Sequence, residues 1–148
     1  MPGAVRVFVD TNVLLYSVDP RHAAKRAKAR EWMTHLWSTG SGRLSWQVLH
    51  EFYANAERKI GTAPAAARKH VILLSNWEPC DVSVDLIRRG WHWMDKAGVT
   101  YWDALILAAA ESLECSLLLS EDFQSGRLYG SVTVVNPFER DAAELGII

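Results

Sequence analysis

The chain has 148 residues, 49% of them hydrophobic and 22% charged, with a net charge of −1. That length suits one domain with its own hydrophobic core, and the composition excludes a disordered chain. The near-neutral balance excludes a polycation, so nucleic-acid binding would need a local patch or a bound metal.

Val5 to Val9 is short, apolar and rich in β-branched residues, which predicts a buried parallel strand. Asp10, Thr11 and Asn12 follow it at once. A helical turn through Leu14, Leu15 and Tyr16 breaks at Asp19-Pro20. A helix is then expected from His22 to Trp37. The stretch Arg21 to Arg30 is basic; Trp32, Met33, Leu36 and Trp37 are apolar. Gly40-Ser41-Gly42 reads as a turn and Arg43 to Ser45 as a short strand. Ser45 can cap a helix with Val48, Leu49, Phe52, Tyr53, Ala56 and Ile60 on one face, ended by Gly61. Pro64 opens a helix to Trp77, and Cys80 to Val82 is a weak strand. From Val84 to Lys96 a helix is expected, with Val84, Ile87, Trp91 and Met94 as its apolar stripe and Gly98 closing it. Thr100 opens a helix to about Glu114. Ser116 to Leu119 is a strand running into Ser120-Glu121-Asp122, and Val132 to Val135 a final strand stopped by Asn136-Pro137. Strands alternating with helices predict an α/β fold with a parallel sheet covered on both faces.

Several chemistries are disfavoured. Cys80 and Cys115 form no Cys-x-x-Cys pair, which argues against a disulfide framework or zinc knuckle and for a reducing compartment. The five histidines show no helical pairing. There is no Gly-x-Ser-x-Gly elbow, and Gly40-x-Gly42 lacks the strand that precedes a dinucleotide loop. The seven tryptophans could stack on bases, but helical stripes favour core packing for most of them. No signal peptide is visible, and the apolar stretch 104–110 is far below the ~18 residues of a membrane span. The expectation is one soluble, cytoplasmic domain over residues 1–148.

Four acids carry the chemical signal. Asp10 and Asp122 fall at or just after strand ends, where open α/β sheets build their sites. Glu51 and Asp103 lie in the first turns of two helices. Gathered together, four carboxylates would repel one another, and a hard divalent cation reverses that sign. Oxygen-only ligation favours Mg²⁺ or Mn²⁺ over zinc. Each acid also has a plainer reading. Asp10 could cap the following helix, Asp103 could complete a capping box with Thr100, Glu51 could be a solvated side chain, and Asp122 a turn residue. Glu121 is an adjacent rival to Asp122. Spacing alone leaves both readings open.

Four segments in order carry a resemblance: Phe8-Val9-Asp10-Thr11-Asn12, Val48-Leu49-His50-Glu51-Phe52, Tyr101-Trp102-Asp103-Ala104-Leu105-Ile106 and Leu119-Ser120-Glu121-Asp122-Phe123. Together they resemble a PIN-domain ribonuclease, and more narrowly the toxin of VapBC-type toxin–antitoxin pairs. The length and the closing Val134-Val135-Asn136-Pro137-Phe138 fit as well. The resemblance implies a single α/β/α sandwich around a mostly parallel sheet and Mg²⁺- or Mn²⁺-dependent endonucleolytic cleavage of RNA. Asp10, Glu51, Asp103 and Asp122 would be the catalytic, metal-holding acids, with Asn12 and Ser120 supporting them. It also implies a VapB-like antitoxin bound near the cleft, in part on helices of the first half, and a homodimer.

Three other readings compete. A phosphoacceptor receiver domain also has an acid after its first strand, but wants a paired acidic motif there and a late lysine that this chain lacks. A PIN-like scaffold could bind RNA or protein without cutting. A flap-type DNA nuclease would need DNA-handling elements for which the chain is too short.

Overall fold

The computed structural model describes residues 5–145. Val7–Val9 (β1) is wholly buried, as its continuous apolar run requires of a strand covered on both faces. The helices Thr11–Ser17 (α1) and Ala23–Thr39 (α2) follow, and Gly40, left-handed at φ 66°, ends α2. Next come the edge strand Gly42–Arg43 (β2) and helices Trp46–Asn55 (α3) and Pro64–Leu74 (α4). Helices Val84–Ala97 (α5) and Tyr101–Ser112 (α6) precede Leu117–Leu119 (β3), Leu128–Tyr129 (β4) and Val132–Val135 (β5).

The sheet runs β2-β1-β3-β5-β4, parallel throughout except for antiparallel β4. From β1 the chain pairs β2 on one side and returns to pair β3 on the other. The order therefore switches between β1 and β3, where parallel sheets leave a crevice at their carboxyl ends. Register aligns Val9 with Leu119, and the Asp10 amide donates to the Leu119 carbonyl at 3.0 Å. Asp10 and Ser120 thus leave the sheet side by side.

The α/β architecture agrees with the sequence reading; several details do not. The helix expected up to Gly61 loosens into a π-turn over Ala56–Ile60. The helix expected to Trp77 tightens into a 3-10 turn at Ser75–Trp77. Cys80 to Val82 is not a strand: only Cys80 bridges, to Ser45. Conversely, β4 and a 3-10 turn at Ala143–Leu145 lie where no element was expected.

The apolar stripe of α5 faces solvent at three of its four residues, with Ile87 half-buried. Val84 and Trp91 are exposed, at 63% and 54%, and Met94 is exposed too, while Gly90 and Trp93 are buried. Gly90 makes this possible. A Cβ there would meet Leu105 of α6 at 3.1 Å, so the missing side chain lets the helices close. Helix α6 is the one buried along its length, from Ala104 to Ala110. Of the tryptophans, only Trp32, Trp77 and Trp93 are buried, so core packing does not account for most of them.

Candidate active site

Asp10 terminates β1 and is the N-cap of α1. Its carboxylate is nearly buried, at 6% exposure. One oxygen accepts from the Thr11 amide at 2.8 Å, so the capping reading is correct as far as it goes. The other accepts from the Ser120 hydroxyl at 2.8 Å and the Asn12 amide at 3.2 Å. Burial pushes the Asp10 pKa up from 3.8 to about 7; the Ser120 and Thr11 hydrogen bonds oppose this, and the charges of Asp122 and Asp103 add to it.

Asn12 ties four residues together, Asp10, Ser120, Glu121 and Asp122. Its Nδ2 also donates to Asp122 at 3.1 Å and to Ser120 Oγ at 3.2 Å, while its Oδ1 accepts from the Glu121 amide at 3.1 Å. Ser120 is completely buried and accepts from the Asp122 amide at 3.1 Å. The rival acid, Glu121, points elsewhere, to Tyr16 and Lys25. Asp122 is the acid of that pair held toward Asp10.

The remaining two acids come from helix starts. Asp103 sits in the first turn of α6, whose Thr100 cap accepts from the Asp103 amide at 3.3 Å. Burial raises the Asp103 pKa, the Thr100 hydroxyl opposes, and the Asp122 charge adds. Burial also raises Glu51, against the pull of Gln47 and with the charges of Asp103 and Asp122. Glu51 is therefore not the solvated side chain its helical wheel suggests. Its Oε1 is buried without a hydrogen-bond partner.

Asp10 and Glu51 thus each feel the charges of Asp103 and Asp122 at the crevice of the β1–β3 switch. Among the described residues none of the four acids pairs with Lys or Arg. The donor set is wholly oxygen, and the Glu51 Oε1 and Thr11 Oγ1 atoms are buried and unpartnered. In kind this suits a hard divalent cation. In spacing it is open: among the described residues no three His, Cys, Asp or Glu side chains already stand as a metal-binding group.

Sequence reasoning missed Thr11, Gln47 and the aromatic groove beside Glu51. A cavity of about 660 Å³ opens there, with Trp46, Gln47, Leu86 and Trp102 in its walls. Gln47 bridges α3 to α6 by donating to the Trp102 carbonyl at 3.2 Å. Trp46 and Trp102 are exposed, and no periodicity signals an aromatic residue turned away from the core.

A family model for the PIN domain matches residues 7–130. The chain belongs to the PIN domain family. PIN domains are nucleases. The same fold occurs in VapC20 of Mycobacterium tuberculosis, a toxin that cleaves the sarcin–ricin loop, with a TM-score of 0.54 and 19% sequence identity. The match covers 78% of this chain and 89% of that one, and at this identity the likeness is one of fold. No curated protein sequence matches the chain. Within this PIN domain the matched span holds all four acids, together with Asn12 and Ser120, while β5 lies beyond it.

Proposed function

We propose that this PIN domain is a Mg²⁺- or Mn²⁺-dependent endoribonuclease and the toxin of a type II toxin–antitoxin pair. One observation carries the reading: carboxylates from four separate segments, linked by one another's charge, lie toward one crevice, and among the described residues none of them pairs with Lys or Arg. Asp10, Glu51, Asp103 and Asp122 would hold the metal. When bound, the ion supplies charge neutralisation at the phosphate and lowers the pKa of water.

The protein's own groups do the rest. Ser120 and Thr11 hold the two oxygens of Asp10 in one orientation, and Asn12 fixes Asp122 relative to it. Glu51, whose Oε1 has no hydrogen-bond partner in the protein, would complete the metal shell directly or through water. In-line attack leaves a 5′-phosphate and a 3′-hydroxyl.

The reading takes residues 1–148 as one domain, since β5 pairs with β3 although it lies beyond the matched span. It implies a cytoplasmic protein, an RNA substrate, a VapB-like antitoxin and a homodimer. Among the described residues no helix is long and apolar enough to cross a membrane. The aromatic groove beside Glu51 and the exposed α5 stripe are apolar surfaces open to protein partners.

The test is cleavage of RNA by the purified chain with Mg²⁺, with chelator, and with Asp10→Asn and Asp103→Asn alongside. Variants that cut as fast as the parent would refute the assignment. The open spacing of the acids favours a second reading, a PIN-like module that binds RNA or protein without cutting. That reading requires RNA to survive at every metal concentration.

A further inference from the structure

Glu121 and Asp122 are consecutive acids at the end of β3, and the fold treats them in opposite ways. Both oxygens of Glu121 are engaged away from the cleft. Oε1 accepts from the Tyr16 hydroxyl at 3.2 Å, and Oε2 forms an ion pair with Lys25. The Lys25 ammonium also donates to the Tyr16 hydroxyl at 3.4 Å. It lies over two rings, 4.6 Å from the centroid of Tyr16 and 5.2 Å from that of Phe138. Those rings meet edge to face at 5.1 Å.

This clasp joins α1, α2, the end of β3 and the segment after β5. A cation between two aromatic faces is held more firmly than one in an open surface pair. On the other side, Asn12 holds the Glu121 amide and the Asp122 carboxylate. The geometry points to Lys25 as a positioning residue that, with Tyr16 and Phe138, keeps Glu121 out of the acid cleft and so presents Asp122 to it. Without the clasp, the longer Glu121 is free to turn into the cleft and displace Asp122 from Asn12. The metal consequence rests on the nuclease reading; the choice between the two acids does not.

Lys25→Met tests this, because it keeps a flexible stem between the rings and removes the charge. Mn²⁺ binding, followed by electron paramagnetic resonance, should weaken about ten-fold, the scale of a lost supporting contact. Glu121→Gln alone should leave it unchanged. Lys25→Met with Glu121→Gln should recover the parent's affinity, because the competing carboxylate is gone. A merely structural lysine would leave the double variant at least as weak as Lys25→Met, and that result, or unchanged binding in Lys25→Met, overturns the inference. If thermal unfolding shows that Lys25→Met does not fold, Tyr16→Phe, which removes one hydrogen bond to Glu121, should shift affinity the same way by less, and Glu121→Gln should again reverse it. A parent that binds no Mn²⁺ refutes the metal reading instead. A crystal structure of Lys25→Met then decides the clasp: Asp122 still on Asn12, with Glu121 outside the cleft, would overturn it.

Discussion

Asp10 and Asp19 stand at the two ends of α1, both buried, in opposite surroundings. Asp19 receives the Arg21 guanidinium at 2.9 and 3.0 Å and faces His22 at 3.1 Å. Arg21 above all, with His22, holds its carboxyl well below the usual carboxylate range. Asp10 receives neutral donors only, faces other acids, and is pushed up to about 7. A fold that needs an acid for structure gives it a cation, as at Asp19. An acid left short of positive charge in a cleft marks a place where charge is to arrive from outside.

The largest expected effect separates the two acids by function. Asp10→Asn should slow RNA cleavage by on the order of 1,000-fold, while Asp19→Asn leaves it unchanged, as gel assays on one RNA would show. Equal losses would mean that the contrast is one of stability and not of chemistry.

A second expectation concerns pH, with opposite signs for the two groups. The folded pKa of Asp10 lies above its unfolded value, so between about 4 and 7 the native state binds the extra proton, and metal-free stability falls as pH rises. The move from 3.8 to about 7, at about 1.4 kcal/mol per pH unit, is roughly 4 kcal/mol. Asp103 and Glu51, both raised, add in the same direction. The folded pKa of Asp19 is depressed, so its contribution is present above about 4 and lost below it. Urea unfolding across pH, without metal, should therefore show stability rising from near pH 8 to near pH 5 and falling under about 4. Asp10→Asn should flatten the upper limb and Asp19→Asn the lower. Near neutral pH, Asp19→Asn should itself cost about 1.5 kcal/mol, the low end for charged hydrogen bonds because Arg21 is exposed. An upper limb that survives Asp10→Asn intact would remove the basis of the comparison.

The sheet was legible where strands are largely buried, since β1 and β3 are continuous apolar runs and β5 is interrupted only by the β-branched Thr133. Two-residue β4 was not, because its pairing with β5 defines it and Leu128 is exposed. On α5, hydrophobic periodicity pointed to the wrong face, because the contact with α6 is made by a glycine that no apolar pattern reveals. Among the acids, Asp10 was legible from its strand. Glu51 was not: it lies on the polar side of α3, and that side lines the aromatic groove within reach of the charges of Asp103 and Asp122. No local rule separates Glu121 from Asp122. Asn12, Tyr16 and Lys25 decide it, more than ninety residues away in the chain.

The smallest expected effect tests the neutral donors that distinguish Asp10 from Asp19. Ser120, itself fully buried, donates to Asp10 and accepts from Asn12 and the Asp122 amide. Its hydrogen bond favours the charged form of Asp10, so Ser120→Ala should push that pKa higher still. A hydrogen bond to a carboxylate is worth more than one to a carboxylic acid. The loss in stability should therefore be about 1 kcal/mol greater near pH 8, where Asp10 is ionised, than near pH 5, where it is protonated. Paired urea unfolding curves at the two pH values give the difference directly. An equal loss at both would mean that Ser120 serves packing and the Asn12 tie alone, and that burial acts on Asp10 without a counterweight from this hydroxyl.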